Sequence, residues 1–320
     1  MTDPHDQLIM ILMNLLRGSA VTLAVLGLAL TGCSSSTPAA STPGRLAVTA
    51  SFYPFEFVAE RIGGDLVSVT NLTAPGSEPH DLELTPRQVA GLAESDLVIY
   101  QKGFQPAVDA AVLTVPPKAT VDTATFLTLE TLDEEDGHSA DDGHDHGSLD
   151  PHTWLDPANM VAIAEHVRDA LAAAEPSSAA TFEANAKALI ADLTTLDSDY
   201  TKGLQHCTRT VFITSHEAFG YLAQRYHLHQ VGIRGIDPDT EPTASRIADV
   251  QQIARENKVT TIFFETLASP VVATSIAGDL GLLTGVLDPI EGITADSQGA
   301  DYLEIMRSNL AALRKANGCS

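Results

Sequence analysis

Positive charge is scarce in this sequence. Its 320 residues carry 18 Lys and Arg against 42 Asp and Glu, a formal charge of −24. A nucleic-acid partner needs a Lys/Arg surface to neutralise its phosphates, so that class is excluded. Membrane-crossing runs are missing too: the apolar run Ala20–Leu30 has only 11 residues, too few for a hydrocarbon core of ~30 Å. Hydrolase signatures are absent. The segment HEAFG has Gly220 where an HExxH zinc motif needs its second His, and no G-x-S-x-G nucleophile elbow is present. Cysteine is rare, at three residues.

What is present describes a globular chain with room for two domains: 44% apolar residues and 19% charged. Near the N-terminus, Arg17 precedes the apolar run, and Leu30-Thr31-Gly32-Cys33 and a Ser/Thr/Pro/Ala stretch follow it. The run has the length of a signal-peptide core, and Met13 would open a signal of ordinary length. The four residues resemble a bacterial lipobox. That resemblance implies cleavage before Cys33, diacylation of its thiol, and a lipid-anchored extracytoplasmic protein; a plain secretory signal is the alternative. The other two cysteines, Cys207 and Cys319, are expected to form a disulfide in an exported protein, with two free thiols as the alternative. A bridge closing a 112-residue loop would constrain the unfolded chain by ~4–5 kcal/mol in the entropy model.

From Arg45 onward, strand and helix patterns alternate. RLAVTAS, LVSVTNLT and DLVIYQ read as strands, and PFEFVAERIGG and PRQVAGLAESD as helices with Pro at their starts. Such alternation predicts βαβ units around a parallel sheet. Residues 130–148 lose all periodicity and fill with Asp, Glu, Gly and His, which predicts a loop. Between Pro176 and Gly203 a stretch without Gly or Pro repeats apolar residues at helical spacing: Phe182, Leu189, Leu193, Leu196, Tyr200. It predicts a helix ~40 Å long. Beyond it RTVFITS, HLHQVGIRG, VTTIFFET and LLTGVLD read as strands, with helices beginning near Glu217, Thr243, Pro270 and Gly299. The expected fold is therefore α/β: two parallel-sheet lobes joined by one long rigid helix, with a cleft where their strand ends face each other. The divisions are residues 1–32 for the signal, 33–44 for a tether, 45–174 for the first lobe, 175–203 for the linking helix and 204–320 for the second lobe.

Four potential metal ligands stand at strand ends or helix starts on that cleft: His80 in GSEPHDLELTP, His152 in DPHTWLDP, His216 in VFITSHEAFG and Asp288 in GVLDPIEG. Each alone reads more often as a cap or a hydrogen-bonded residue than as a metal ligand. Together, three imidazoles and a carboxylate match the tetrahedral preference of zinc.

The same segments carry a family resemblance. ASFYPFEFVAERIGGD, GSEPHDLELTP, AESDLVIY, DPHTWLDP, TSHEAFGYLAQRY, EPTASRIADV, IFFETLASP and TGVLDPI, in that order, resemble the ZnuA-like solute-binding lipoproteins of ABC-type zinc and manganese importers. The resemblance runs from Leu46 to about Leu313. It implies two α/β lobes on a rigid helix and a non-enzymatic receptor that binds Zn(II) as transported cargo. It further implies a monomer whose partners are the importer's permease and, through Cys33, the membrane. Carried over residue by residue, the ligands are His80, His152, His216 and Asp288. Glu265 falls where the family places a carboxylate near the site, giving a partner for an imidazole N–H, a reserve ligand, or a helix cap. Some zinc-binding members have an acid directly before the first His; here Pro79 intervenes, which puts Glu78 in doubt as a ligand. Glu241 reads as helix-start chemistry. Manganese-importing relatives often carry an acid where this chain has His216, and three imidazoles favour zinc over manganese. The loop histidines His138, His144 and His146 are read as weak zinc collectors, or as part of a merely solvated loop. A manganese-binding relative, a secreted zinc hydrolase and a surface adhesin are the competing functions.

Overall fold

A computed structural model describes residues 44–131 and 149–320. The signal peptide, Cys33, most of the tether and the loop histidines His138, His144 and His146 lie outside the described residues.

Among the described residues, eight strands form two sheets of four. The first sheet contains β1 (Leu46–Ala50), β2 (Val67–Asn71), β3 (Leu97–Tyr100) and β4 (Thr120–Asp122), in the order β2-β1-β3-β4. The second contains β5 (Val211–Thr214), β6 (His229–Gly232), β7 (Thr261–Phe264) and β8 (Leu283–Val286), in the order β6-β5-β7-β8. Every pairing is parallel. Parallel strands need crossover helices that cover both faces, so central strands read as continuous apolar runs. Leu97, Val98 and Ile99 of β3 are all fully buried, as is Ile262 of β7. β8 lies at a sheet edge and leaves Leu283 exposed.

Helices begin where the sequence supplies a cap or a proline. α1 (Tyr53–Gly63) has Pro54 in its first turn, where a missing N–H costs nothing. α2 (Pro86–Leu92) opens with a capping box between Thr85 and Gln88, and α3 spans Pro106–Thr114. Asp156 caps α4 (Pro157–Ala174), Thr243 caps α7 (Ala244–Glu256), and Asp301 caps α9 (Tyr302–Asn317). α6 covers Gly220–Arg225 and α8 covers Val271–Leu280. Two helices are shorter than their sequence pattern. α2 stops at Leu92 because Ser95 Oγ bonds the Gly91 carbonyl at 3.1 Å and Asp96 turns to pair with the Ala47 N–H at 2.8 Å. α6 starts three residues after Glu217 because the Glu217 N–H goes to the Gly235 carbonyl and the Phe219 N–H to Gln230 Oε1.

The long helix is α5 (Ala179–Leu204), with 26 residues, or ~39 Å. Phe182, Ala186, Leu189, Leu193, Leu196, Tyr200 and Gly203 recur every three or four residues and are buried, giving one apolar stripe along its length. The stripe packs on α1 and α4 of the first lobe and on α9 of the second. Polar pins fix the register: Arg61 meets Asp192 at 2.6 Å, and the Tyr200 hydroxyl donates to the Met306 carbonyl at 2.6 Å. Cys207 and Cys319 form the expected disulfide, tying the end of α9 to the segment entering β5. Thr131 and Leu149 pair across the ends of the acidic loop.

Candidate metal centre

His80, His152 and His216 reach one point from three directions. His80 follows β2 in a turn whose Pro79 carbonyl accepts from the buried Gln105 amide at 3.1 Å. Its own N–H donates to Glu78 Oε1 at 3.1 Å, and its ring stands edge-on to Phe104. His152 precedes α4. Its backbone N–H and its Nδ1 both meet Asp150 Oδ1, at 2.9 and 2.7 Å. The Nδ1 contact makes that nitrogen the proton carrier and leaves the Nε2 lone pair free to ligate. Buried Gln101 holds the same segment, donating to the Pro151 carbonyl at 2.5 Å and accepting from Thr153 Oγ1 at 2.6 Å. Gly220 lies behind Asp150: a Cβ there would stand 2.5 Å from Asp150 Oδ2. The residue that breaks the hydrolase motif is thus one that the His152 support requires. His216 leaves the end of β5. Its carbonyl accepts from Thr214 Oγ1 and Gln230, and its Nδ1 lies 2.7 Å from Glu265 Oε1, at the end of β7.

The fourth group is Glu291, on the turn after β8. Its Oε1 lies 3.4 Å from His80 Nε2, 3.3 Å from His152 Nε2 and 3.4 Å from His216 Nε2. His152 Nε2 is in turn 3.3 Å from that of His80 and 3.4 Å from that of His216. A regular tetrahedron with metal–ligand bonds of ~2.0–2.1 Å has edges ~1.63 times longer, ~3.3–3.4 Å. Five of the six separations among the donor atoms equal that edge, and all four atoms lie within 4.8 Å of one another. Three of the four residues are fully buried, and His80 is nearly so.

Electrostatics give the same picture. Burial alone would push the Glu291 pKa up, but the three imidazoles hold it well below the usual carboxylate range. Burial likewise works to depress His152 and His216. The carboxylates of Asp150 and Glu291 overcome it at His152, and Glu265 and Glu291 hold His216 well above its ordinary value. At His80 burial prevails and lowers the pKa. Glu78 is pushed up to about 8 by burial and by Glu291. Glu291 Oε2 is buried without a hydrogen-bond partner among the described residues, a costly arrangement for a carboxylate oxygen. Oε1 is the oxygen that faces the three imidazoles, where a divalent cation would offset the buried charge of the carboxylate.

Asp288, the carboxylate that the sequence pattern singled out, is not one of the four convergent groups. Its Oδ1 accepts from the Ile290 N–H at 2.8 Å and its Oδ2 from the Thr266 hydroxyl at 3.1 Å. Glu265 stands behind His216, outside the cluster. Glu291 and Asp150 were not read from the sequence. Asp150 had a local signal, since an Asp bonding the backbone two residues on is an Asx turn; Glu291 had only its place as a second acid in the same turn.

The family profile described as zinc-uptake complex component A, periplasmic (ZnuA), matches residues 48–316. The zinc-binding lipoprotein AdcA of Streptococcus pneumoniae is 34% identical over 305 residues, covering 93% of this chain and 60% of AdcA. The chain thus spans less than two thirds of that relative. The high-affinity zinc uptake system protein ZnuA of Bacillus subtilis is 33% identical over 292 residues, covering 88% of this chain and 91% of its own. The crystal structure of the Zn(II)-bound ZnuA-like domain of the pneumococcal AdcA superposes with a TM-score of 0.71 at 34% identity, over 86% of this chain and 99% of that domain. The laminin-binding protein Lmb of Streptococcus agalactiae, described as a bifunctional adhesin and metal transporter, superposes with a TM-score of 0.75 at 29% identity, over 85% and 99%. A match across two lobes, both sheets and the segments that carry the histidines has one reading: the chain belongs to the ZnuA family.

Proposed function

We propose that this chain captures Zn(II) outside the cytoplasm and delivers it to the permease of an ABC-type importer, with His80, His152, His216 and Glu291 as the four ligands. The observation that carries the reading is the convergence of four donors within 4.8 Å of one another, five of their six separations at the edge length of a zinc tetrahedron. The two buried carboxylates behind the imidazoles, Asp150 on His152 and Glu265 on His216, add support, because such partners orient a ligating ring and raise its basicity. Three imidazoles favour zinc over manganese, which prefers more oxygen donors. Four protein donors fill a tetrahedron, whereas a catalytic zinc keeps a position open for water; the set therefore suits a carrier and not a hydrolase. Lipid anchoring through Cys33 belongs to the same proposal, supported by its lipobox-like sequence and by the lipoprotein name of the pneumococcal relative.

Native mass spectrometry of protein purified without added metal tests the reading, followed by competitive titration of zinc against manganese. One zinc per chain, held against excess manganese, is expected. Comparable affinities for both metals, in a chain lacking residues 130–148, would overturn the zinc assignment.

A further inference from the structure

The turn that carries Glu291 is built from parts that metal ligation itself does not use. Ile290 has φ 60°, in the left-handed region that β-branched residues rarely adopt. Everything beyond Ile290 takes its direction from that angle. Rotation to an ordinary negative φ would swing Glu291 away from the three imidazoles.

Several groups hold the turn in place, among them Ser297, whose side chain also bonds the Asp288 carboxylate. Asp288 Oδ1 accepts from the Ile290 N–H at 2.8 Å, and Asp288 Oδ2 accepts from Thr266 Oγ1 at 3.1 Å. Asn309 of α9 clamps the Asp288 backbone from both sides, accepting from its N–H at 3.0 Å and donating to its carbonyl at 2.7 Å. From the other lobe, the Trp154 indole N–H donates to the Pro289 carbonyl at 2.7 Å. The Ile290 side chain is fully buried, as are Trp154 and Asp288. The turn is thus referenced to both lobes, and on one side to a residue two positions from His152.

We propose that Asp288 is a positioning residue: by accepting the Ile290 N–H while bonded to Thr266, it holds Ile290 left-handed and aims the Glu291 carboxylate into the three-histidine cluster. The inference rests on Glu291 being a ligand. It gives the acid nearer the strand a role one step removed from the metal, and gives Trp154 the role of setting the fourth donor against the first lobe.

The test is a double-mutant cycle on zinc affinity in the full mature chain, using Asp288→Ala, Glu291→Ala and the pair, with Asp288→Asn as the conservative variant. Loss of a residue that supports a metal ligand typically costs about 10–100-fold in affinity, and Asp288→Ala is expected to fall in that range. In the Glu291→Ala background the same change is expected to cost nothing further, because the group it aims is gone. Asp288→Asn keeps an acceptor for the Ile290 N–H and is expected to recover most of the affinity. The visible spectrum of the cobalt-loaded Asp288→Ala variant is expected to move toward that of Glu291→Ala, a change that a mere loss of stability does not produce. Equal losses in both backgrounds overturn the proposal, and so does a lowered melting temperature with unchanged zinc affinity. If Glu291→Ala itself leaves affinity intact, the ligand assignment fails instead, and the cycle shows which of the two has gone.

Discussion

Replacing Glu265 with Gln removes one charge from behind His216 while keeping the shape of the side chain. In the intact protein, Glu265 Oε1 lies 2.7 Å from His216 Nδ1 and accepts the His216 backbone N–H at 3.2 Å. Gln can still accept the His216 backbone N–H, so the segment stays in place, but the ring loses the negative charge that makes Nε2 a better donor. Substitutions of this kind cost about 10–100-fold in metal affinity, or ~1.4–2.7 kcal/mol. The metal-free protein adds an independent signature. Burial works against a charged His216, yet Glu265 and Glu291 hold its pKa well above the ordinary value. A histidine raised in the fold stabilises it fully below the unfolded pKa of ~6.5, and that contribution is lost as pH rises through the folded value. The melting deficit of metal-free Glu265→Gln is therefore expected to be largest below pH ~6.5 and to shrink as pH rises. Chelator-competition titrations measure the first effect and thermal melts across pH the second. Unchanged zinc affinity, or a deficit that grows with pH, would refute the reasoning.

Three other predictions test separate parts of the molecule. Ala at His80, His152 or His216 is expected to cost far more zinc affinity than joint replacement of His144 and His146; equal losses in calorimetric titration would move the binding site to the loop. Leu193→Ala empties part of the fully buried α5 stripe and is expected to cost ~2–5 kcal/mol of stability, seen as a lower denaturant midpoint with zinc affinity retained. Reduction of Cys207–Cys319, which closes a span of 112 residues, is expected to lower the melting temperature by releasing up to ~4–5 kcal/mol of constraint on the unfolded chain; a reduced protein melting with the oxidised one would contradict this.

How much of this was legible in the sequence depends on how local each cause is. β3 and β7 are buried on both faces, so their apolar runs announced them. α5 was legible because its stripe continues through 26 residues without a proline. His80 and His216 follow strands and His152 precedes a helix, so alternation alone put them on one rim. The choice between Asp288 and Glu291 has a different origin. Both acids sit in LDPIEG, and which of them faces the imidazoles depends on the φ of Ile290, a residue type that no pattern rule assigns to the left-handed region. The late start of α6 is equally non-local, since the N–H groups of Glu217 and Phe219, just before it, are taken by Gly235 and Gln230.

Under the proposed ligand set, the division of donors between the lobes has a consequence for cargo exchange. His80 and His152 belong to the first lobe, and His216 and Glu291 to the second. Each half alone offers two donors, too few to hold an ion against water, so a bound ion acts as a keystone between two half-arches. Parting the lobes by the length of one coordinate bond, ~2 Å, halves the coordination number in a single step. No ligand need be protonated and no rival chelator is required. Under that ligand set, a docking partner that levered the lobes apart would unload the ion by mechanics alone.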